Sequence, residues 1–441
     1  MAMTNRCIWP SKKLRDCIVQ LNTGLNPRDN FTLGMGNIKY ITAKNLTDVG
    51  TIDFTNCDYI DTHAKEIVHR RSDIQKGDIL FGSRAPIGHC HLLTEDPDDF
   101  DVGESIFCIR VNRDAILPEY LCLYLSSKHF VEMASKRVTG SVIKEIRIAD
   151  LLDTDVILPP EDIQAKIARC VGEIDKKTAN NTAICSDLEA MAKLLYDYWF
   201  VQFDFPDENG KPYKSSGGKM TWNEELKREI PEGWEVQKIG DIIYTERGIS
   251  YSTPNIATGE GVPMLNLATF MPGGGDYKAD GLKHFLGDYP KSKTLKPYDL
   301  IMCNTQQTAI KFETDIIGRA MLTPDVFDGD VVFSHHVNVI RTDDESLKYY
   351  LLFLFNSNYF HKYISGFTNG TNILGLSFNG VEDYLLEIPS HDLLTKFGAV
   401  VLETEKKKSA IFKENQQLGE LRDFLLPMLM NGQVKVGGVV E

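Results

Sequence analysis

The chain has 441 residues, 42% hydrophobic and 25% charged, which excludes a wholly disordered or fibrous protein and suggests two or three domains. Lys and Arg total 48 against 62 Asp and Glu, a net charge of −14, which argues against coating nucleic acid through bulk positive charge. A reader with local basic patches stays open.

The N-terminal MAMTNRCIWP has no apolar signal core. The longest uncharged apolar run, Tyr349 to Phe355, is about seven residues, where a membrane span needs about twenty. A cytoplasmic chain with no membrane contact is expected. Nine cysteines are scattered without a CxxC, so neither a disulfide framework nor a zinc site is expected. His89, Cys90 and His91 alternate faces if they form a strand, so they cannot converge on one metal.

In chain order, residues 1–157 carry the β-rich runs IKYIT, GDILF, SIFCIRV and DTDVILP, with a helical stretch from Pro118 to Met133. A central long helix is predicted over 158–203, entered through Pro159-Pro160. Residues 204–233 are rich in Gly, Pro, Ser and charge and read as a linker. A second block over 234–387 holds PMLNLAT, DLIMCN, VVFSHHVNVI and YLLEIP, with a helical stretch from Leu347 to Ser365. A second long helix over 388–431 stops at Asn431-Gly432, before a tail over 432–441.

The chain repeats itself. With an offset of 230 and no gap, Thr139 to Phe200 lies on Asn369 to Met430: Ile143 meets Ile373, Pro159 meets Pro389, Leu188 meets Leu418. At an offset of 225, Trp9 meets Trp234, Asp16 meets Asp241 and Gly36 meets Gly261. In the first helix, Ile167, Val171, Ile174, Leu188 and Leu195 fall on alternating steps of three and four, a heptad seam. The same lattice gives Phe397, Val401, Ile411, Leu418 and Leu425 in the second, with Asn181, Lys408 and Asn415 as polar seam positions. The simplest way to bury both seams is to pack the helices on each other; the alternative is two ordinary helices, each on its own block. The expected fold class is α+β: two duplicated α/β blocks, each followed by a long helix, the helices paired as an antiparallel coiled coil.

Catalytic signatures are missing. Leu158-Pro159-Pro160-Glu161 lacks the amide and the aromatic of an adenine methyltransferase loop. GSRAPIGH at Gly82 to His89 lacks the Lys of a P-loop. Pro206-Asp207-Glu208 with Lys211 lacks the distal Asp of a nuclease set. No catalytic residue and no metal ligand is expected. Duplicated blocks without chemistry point to a scaffold, or to a reader of a two-part site.

Several segments carry a resemblance. LEAMAKLLYDYWFVQFDFP from Leu188, GKPYKSSGGKM from Gly210, LKREIPEGWEV from Leu226, GDILFGSRAPIG from Gly77 and TGSVIKEI from Thr139 together resemble the specificity subunits of type I restriction–modification systems, over essentially the whole chain. The second block departs, with NTQQTAIK and TNGTNILG in place of the two turns. The resemblance implies a non-catalytic subunit with two target recognition domains, each reading one half of an asymmetric, bipartite sequence in double-stranded DNA. It implies helices that set the spacer and dock modification subunits, a pair of them, which methylate adenine, together with restriction subunits. S-adenosylmethionine, ATP and Mg would be bound by those partners and no cofactor by this chain. The competing reading is a protein-interaction scaffold with two globular binding domains on a coiled-coil spacer.

Readers of base edges need forked donors or acceptors, and phosphate contacts need Lys, Arg or small polar groups on turns. In the first block the candidates are Ser83 and Arg84 on one turn, Thr139, Ser141 and Lys144 on the other, and Lys39 and Lys44 beside an early strand. In the second they are Gln306, Gln307 and Lys311, then Asn369, Thr371 and Asn372, with His335 and His336 either readers or structural. Tyr196, Tyr198, Trp199 and Phe200 form either a partner-binding stripe or core. Residues 1–157 hold 19 basic and 22 acidic groups, and five of the acids cluster from Glu95 to Asp101. Apart from that cluster the block would be locally basic. The acidic total then predicts weak DNA binding by the isolated chain, with partners supplying much of the phosphate grip.

Overall fold

The computed structural model describes residues 9–434 apart from 29, 48–49, 56, 86, 136–144 and 308–313. The chain forms two compact units, 1–182 with 415–441, and 183–414. Both boundaries fall inside the long helices, Glu161–Tyr196 and His391–Met430, so each helix contributes to both units.

In the first unit a four-stranded antiparallel sheet runs in the order Ile18–Thr23, Ile106–Val111, Asp78–Gly82, Cys90–Leu92. A three-stranded sheet places Ile38–Ile41 between Asp58–Ile60 and Phe100–Val102, the last pair parallel. Ser11–Lys13 pairs with Asp155–Ile157, at the foot of the first long helix. The core collects Leu14, Phe81, Phe107, Tyr120 and Phe130 with Ile167 and Val171 of one long helix and Leu426, Leu429 and Met430 of the other. Asp175 pairs with Arg422 and Asn181 with Asn415, so numbering rises on one helix as it falls on the other, and the helices are antiparallel. The amide pair of buried Asn181 and half-buried Asn415, at 2.8 Å, is the kind of polar seam contact that fixes register.

The second unit repeats this plan. Its four-stranded sheet runs Tyr244–Arg247, Val337–Arg341, Leu300–Cys303, Ala320–Leu322, and Val262–Leu265 lies parallel to Val331–Phe333 in a five-stranded sheet. Glu235–Lys238 pairs with Leu385–Ile388, closing on the second long helix. Its core joins Tyr350, Phe355 and Phe360 to Tyr196 and Phe200 of one helix and Leu394, Phe397 and Val401 of the other. Tyr196 and Phe200 are thus core, against the partner-stripe reading of the aromatics, while Tyr198 and Val201 face outward.

Sequence offset has become structural register. Tyr120 donates its hydroxyl to the carbonyl of Ile157 at 3.0 Å, and Tyr350, 230 residues later, donates to Glu387 at 3.3 Å. Ser127 and Ser357 accept from the amides of Phe130 and Phe360, breaking each predicted helical stretch into two short helices. All the seam positions from Ile167 to Trp199 and from Phe397 to Leu429 are buried or half-buried. Gly432 takes φ 72° after the second helix, the left-handed stop the sequence predicts.

Two expectations need amending. The linker is built: Met220–Asn223 and Arg228–Pro231 form a hairpin, and Phe205 stacks on both Tyr213 and Trp234. VVFSHHVNVI is two strands, divided at Ser334–His336. Among the described residues, no helix is long and apolar enough to cross a membrane.

Candidate nucleic-acid interface

In the first unit the strand Asp78–Gly82 ends in the turn that carries Ser83 and Arg84. Gly88 closes the turn with φ 90°, and an added Cβ would lie 2.3 Å from Val131, so this position needs glycine. Arg84 forms a bridge with Glu145, where the chain returns from residues 136–144. Arg84 therefore meets the residue that follows the second candidate segment, while Thr139, Ser141 and Lys144 themselves lie outside the described residues.

The Arg84 guanidinium is half-buried and held by Glu104 at 2.8 Å and Glu145 at 3.4 Å. Burial opposes its charge, but the two carboxylates outweigh burial and raise its pKa. Burial pushes the Glu104 carboxyl up, but Arg84 above all, with Asn26 and Arg28 nearby, holds its pKa below the usual value. The sequence reading missed Asn26 and Arg28, which belong to no run or motif. A phosphate or a base edge reaching Arg84 must compete with two acids, a screen that favours ligands with good geometry over mere charge. If Arg84 reads a base, Arg84→Ala is expected to weaken binding of the assembled complex to DNA carrying that base by about 1–3 kcal/mol, leaving DNA altered there unaffected. Competition binding checks this, and an equal loss on both DNAs would mark a phosphate contact instead.

Other candidates move. Ser83 is fully buried and donates to the carbonyl of Ser105, so it holds the turn and presents nothing at the surface. Lys39 is tied to Asp99 and lies over the Phe54 ring, while Lys44 is exposed on the turn Ala43–Asn45. The acidic cluster is not one patch set apart from the basic face. Asp99 neutralises Lys39, and Asp101 is fully buried, accepting from Ser72 at 2.7 Å and facing His69 at 3.1 Å. His89 and His91 bond outward to the carbonyls of Leu46 and Gly50, and Cys90 points to the core. That is strand alternation.

In the second unit, one small sheet gathers both candidate segments. Ile373–Leu376 lies between Thr305–Gln307 and Thr368–Asn369, so the glutamine strand and the 369–372 turn are neighbours. Gly370, at φ 117°, makes that turn, since a Cβ there would sit 2.1 Å from the Ile373 carbonyl oxygen. Asn369, Thr371 and Asn372 are exposed at its tip. Gln306 is not: it is buried, and its Oε1 accepts from the amides of Ile316 and Ile317 at 2.7 and 3.1 Å. Burial, rather than full occupancy, keeps it from an adenine edge, since its Nε2 has no hydrogen-bond partner among the described residues. The Gln307 side chain and Lys311 lie outside the described residues.

Beside the sheet is an open depression of about 360 Å³, lined by Arg247, Asn304, Thr305, Asn338, Asn369 and Ser377 among others. Its floor is spoken for, because Asn304 donates to Asn338 and to the His335 carbonyl. Its rim is available: Arg247 donates Nε to the His335 carbonyl at 2.6 Å and has other donors to offer. The His336 ring lies tilted against His335, with ring centroids 3.9 Å apart. Burial, then the nearby charges of His335, Arg247 and Lys283, push its pKa down to about 4. At neutral pH the ring is uncharged, able to exchange hydrogen bonds but not to act as a phosphate-binding cation.

Residues 9–190 and 231–410 both match the family model described as the type I restriction modification DNA specificity domain. The chain is 25% identical over 436 residues to the type I restriction enzyme MjaIX specificity subunit of Methanocaldococcus jannaschii, covering 97% of this chain and 94% of that one. It is 23% identical over 451 residues to the HindI specificity subunit of Haemophilus influenzae, covering 88% and 93%. Its fold resembles the crystal structure of the type I restriction–modification S subunit from M. genitalium, with a TM-score of 0.52 at 15% identity over 97% of this chain and 98% of that one.

Proposed function

The chain belongs to the type I restriction–modification DNA specificity family and carries two recognition domains, and we propose that each domain reads one half of a bipartite, asymmetric DNA target. One observation carries this reading. The two units keep the same skeleton to the level of single hydrogen bonds, Tyr120 to Ile157 and Tyr350 to Glu387, yet differ at the tips. The first unit presents an Arg84 turn braced by Glu104 and Glu145; the second presents a three-stranded tip ending at Asn369, Thr371 and Asn372. Equal frames with unlike tips suit two different half-sites.

The chain supplies recognition, not catalysis. S-adenosylmethionine, ATP and Mg belong to the modification and restriction subunits it recruits, and the complex works in the cytoplasm. Docking of modification subunits has its own support in each unit. In the second unit Met191 and Leu194 are 67% and 68% exposed on the first long helix. In the first unit Leu421 and Phe424, their equivalents at offset 230, are 44% and 65% exposed on the second long helix. Large apolar side chains left in water at matching places suit two copies of one partner. Adenine-methylation mapping in cells that carry this chain with its modification subunit tests the function. A bipartite motif is the expected result, and an unchanged methylome on deleting the chain would end the proposal.

A further inference from the structure

The second unit buries one cation in its helix seam. Lys408 stands where a seam expects an apolar residue, and its side chain is only 8% exposed. Its Nζ lies 3.0 Å from Glu189 on the first long helix, 3.0 Å from Glu405 one turn back on its own helix, and 3.3 Å from Asp276 in a loop of the globular block. Three separate elements converge on one ammonium. A buried ammonium without partners costs several kcal/mol, so these carboxylates are what keep it in place. The contacts beside it tie the block to the same stretch of helix. Tyr277 packs on Phe412 with ring centroids 5.4 Å apart, and the Asp325 amide donates to Ser409 Oγ at 3.2 Å.

Among the described residues, the first unit shows no such arrangement at the equivalent place. At offset 230 the equivalents of Lys408, Ser409 and Phe412 are Thr178, Ala179 and Thr182, which offer neither charge nor ring. Asp175, the equivalent of Glu405, is instead matched by Arg422 at 2.9 Å. Among the described residues, the lysine-centred lock is seen in the second unit.

We propose that Lys408 is a positioning residue: with Glu189, Glu405 and Asp276 it fixes the angle at which the second recognition block sits on its helices, and so sets how strictly the spacer to the second half-site is enforced. This rests on the bipartite reading above. A block rocked about its helix would carry its tip along the DNA, and one base pair is a step of only about 3.4 Å.

The test uses the full chain assembled with its modification subunits, and DNAs carrying the cognate motif with its natural spacer or a spacer one base pair shorter or longer. Asp276→Asn and Lys408→Met are expected to raise methylation of the altered-spacer DNAs, relative to the natural one, by about tenfold, equivalent to ~1.4 kcal/mol of lost discrimination. Lys408→Arg, which keeps the charge, is expected to restore the wild-type ratio. General destabilisation would lower methylation on all three DNAs together and leave the ratio unmoved, so an unmoved ratio overturns the lock. If Lys408→Met fails to fold, Asp276→Asn, changed in a partly exposed loop, decides the question. A wild-type complex that methylates no bipartite site overturns the recognition reading and the lock with it. A wild-type complex that does, with variants unmoved, overturns the lock alone.

Discussion

Replacing Phe397 with alanine is expected to destabilise the second unit by about 3–5 kcal/mol, a large share of the 5–15 kcal/mol that typically holds a domain together. Phe397 is fully buried. Its ring lies 5.0 Å from Phe200, 5.6 Å from Phe353 and 6.2 Å from both Tyr196 and Trp199, measured between centroids. Rings arranged edge-on and tilted cannot slide inward to fill the space one of them leaves, so the cavity persists. Denaturant unfolding followed by tryptophan fluorescence checks this, since Trp199 reports on that cluster. The early transition should involve the second unit, with the first unit's core, which holds no part of this ring cluster, unfolding at its former midpoint. A single transition shifted by less than 1 kcal/mol would show that the ring cluster relaxes and that the packing argument is wrong.

The second large effect concerns assembly. Met191→Glu with Leu194→Glu is expected to weaken one modification-subunit contact by about a thousandfold, because each apolar side chain buried at an interface is worth about 1.5–3 kcal/mol and each new charge adds a desolvation cost. Leu421→Glu with Phe424→Glu should do the same for the other contact. Both pairs lie in water in the chain itself, so the fold should tolerate the changes. Native mass measurement of the purified complex distinguishes the outcomes. Either pair alone should leave one copy bound, and the two together none. Full assembly by the quadruple variant would remove these patches from consideration.

The frame was legible in the sequence because it rests on periodicity and repetition. The steps of three and four placed the helix seams, and the constant offset of 230 laid Thr139 to Phe200 on Asn369 to Met430; the structure extends the same offset back to Tyr120 and Tyr350. Short strands with long-range partners were harder. Ile18–Thr23 has no clean alternation of burial, since its register slips between Ile18 and Gln20. The helix Thr62–Ser72 was also overlooked, though Asp61 caps it by accepting from the Ala64 amide, because its charged sequence shows little apolar stripe. At the candidate interface, residue type was legible and accessibility was not. Ser83 and Gln306 have the right chemistry and point inward, and Lys39 is occupied by an acid 60 residues away. Sequence reveals which groups exist, and only the fold decides which of them still have a free donor.

The nesting of the two units bears on how the protein is made. The second unit is one uninterrupted stretch, 183–414, enclosed by the two parts of the first. Leu426, Leu429 and Met430, translated after the whole of the second unit, belong to the core that Leu14 and Phe81 begin. At a ribosome, domains generally fold in the order they emerge. Here the order is inverted: the later block can close first, while the earlier one waits with an open apolar face until the end of the second long helix arrives. A message truncated after residue 414 would therefore yield a finished second unit and an unfinished first, a natural substrate for chaperones and proteases.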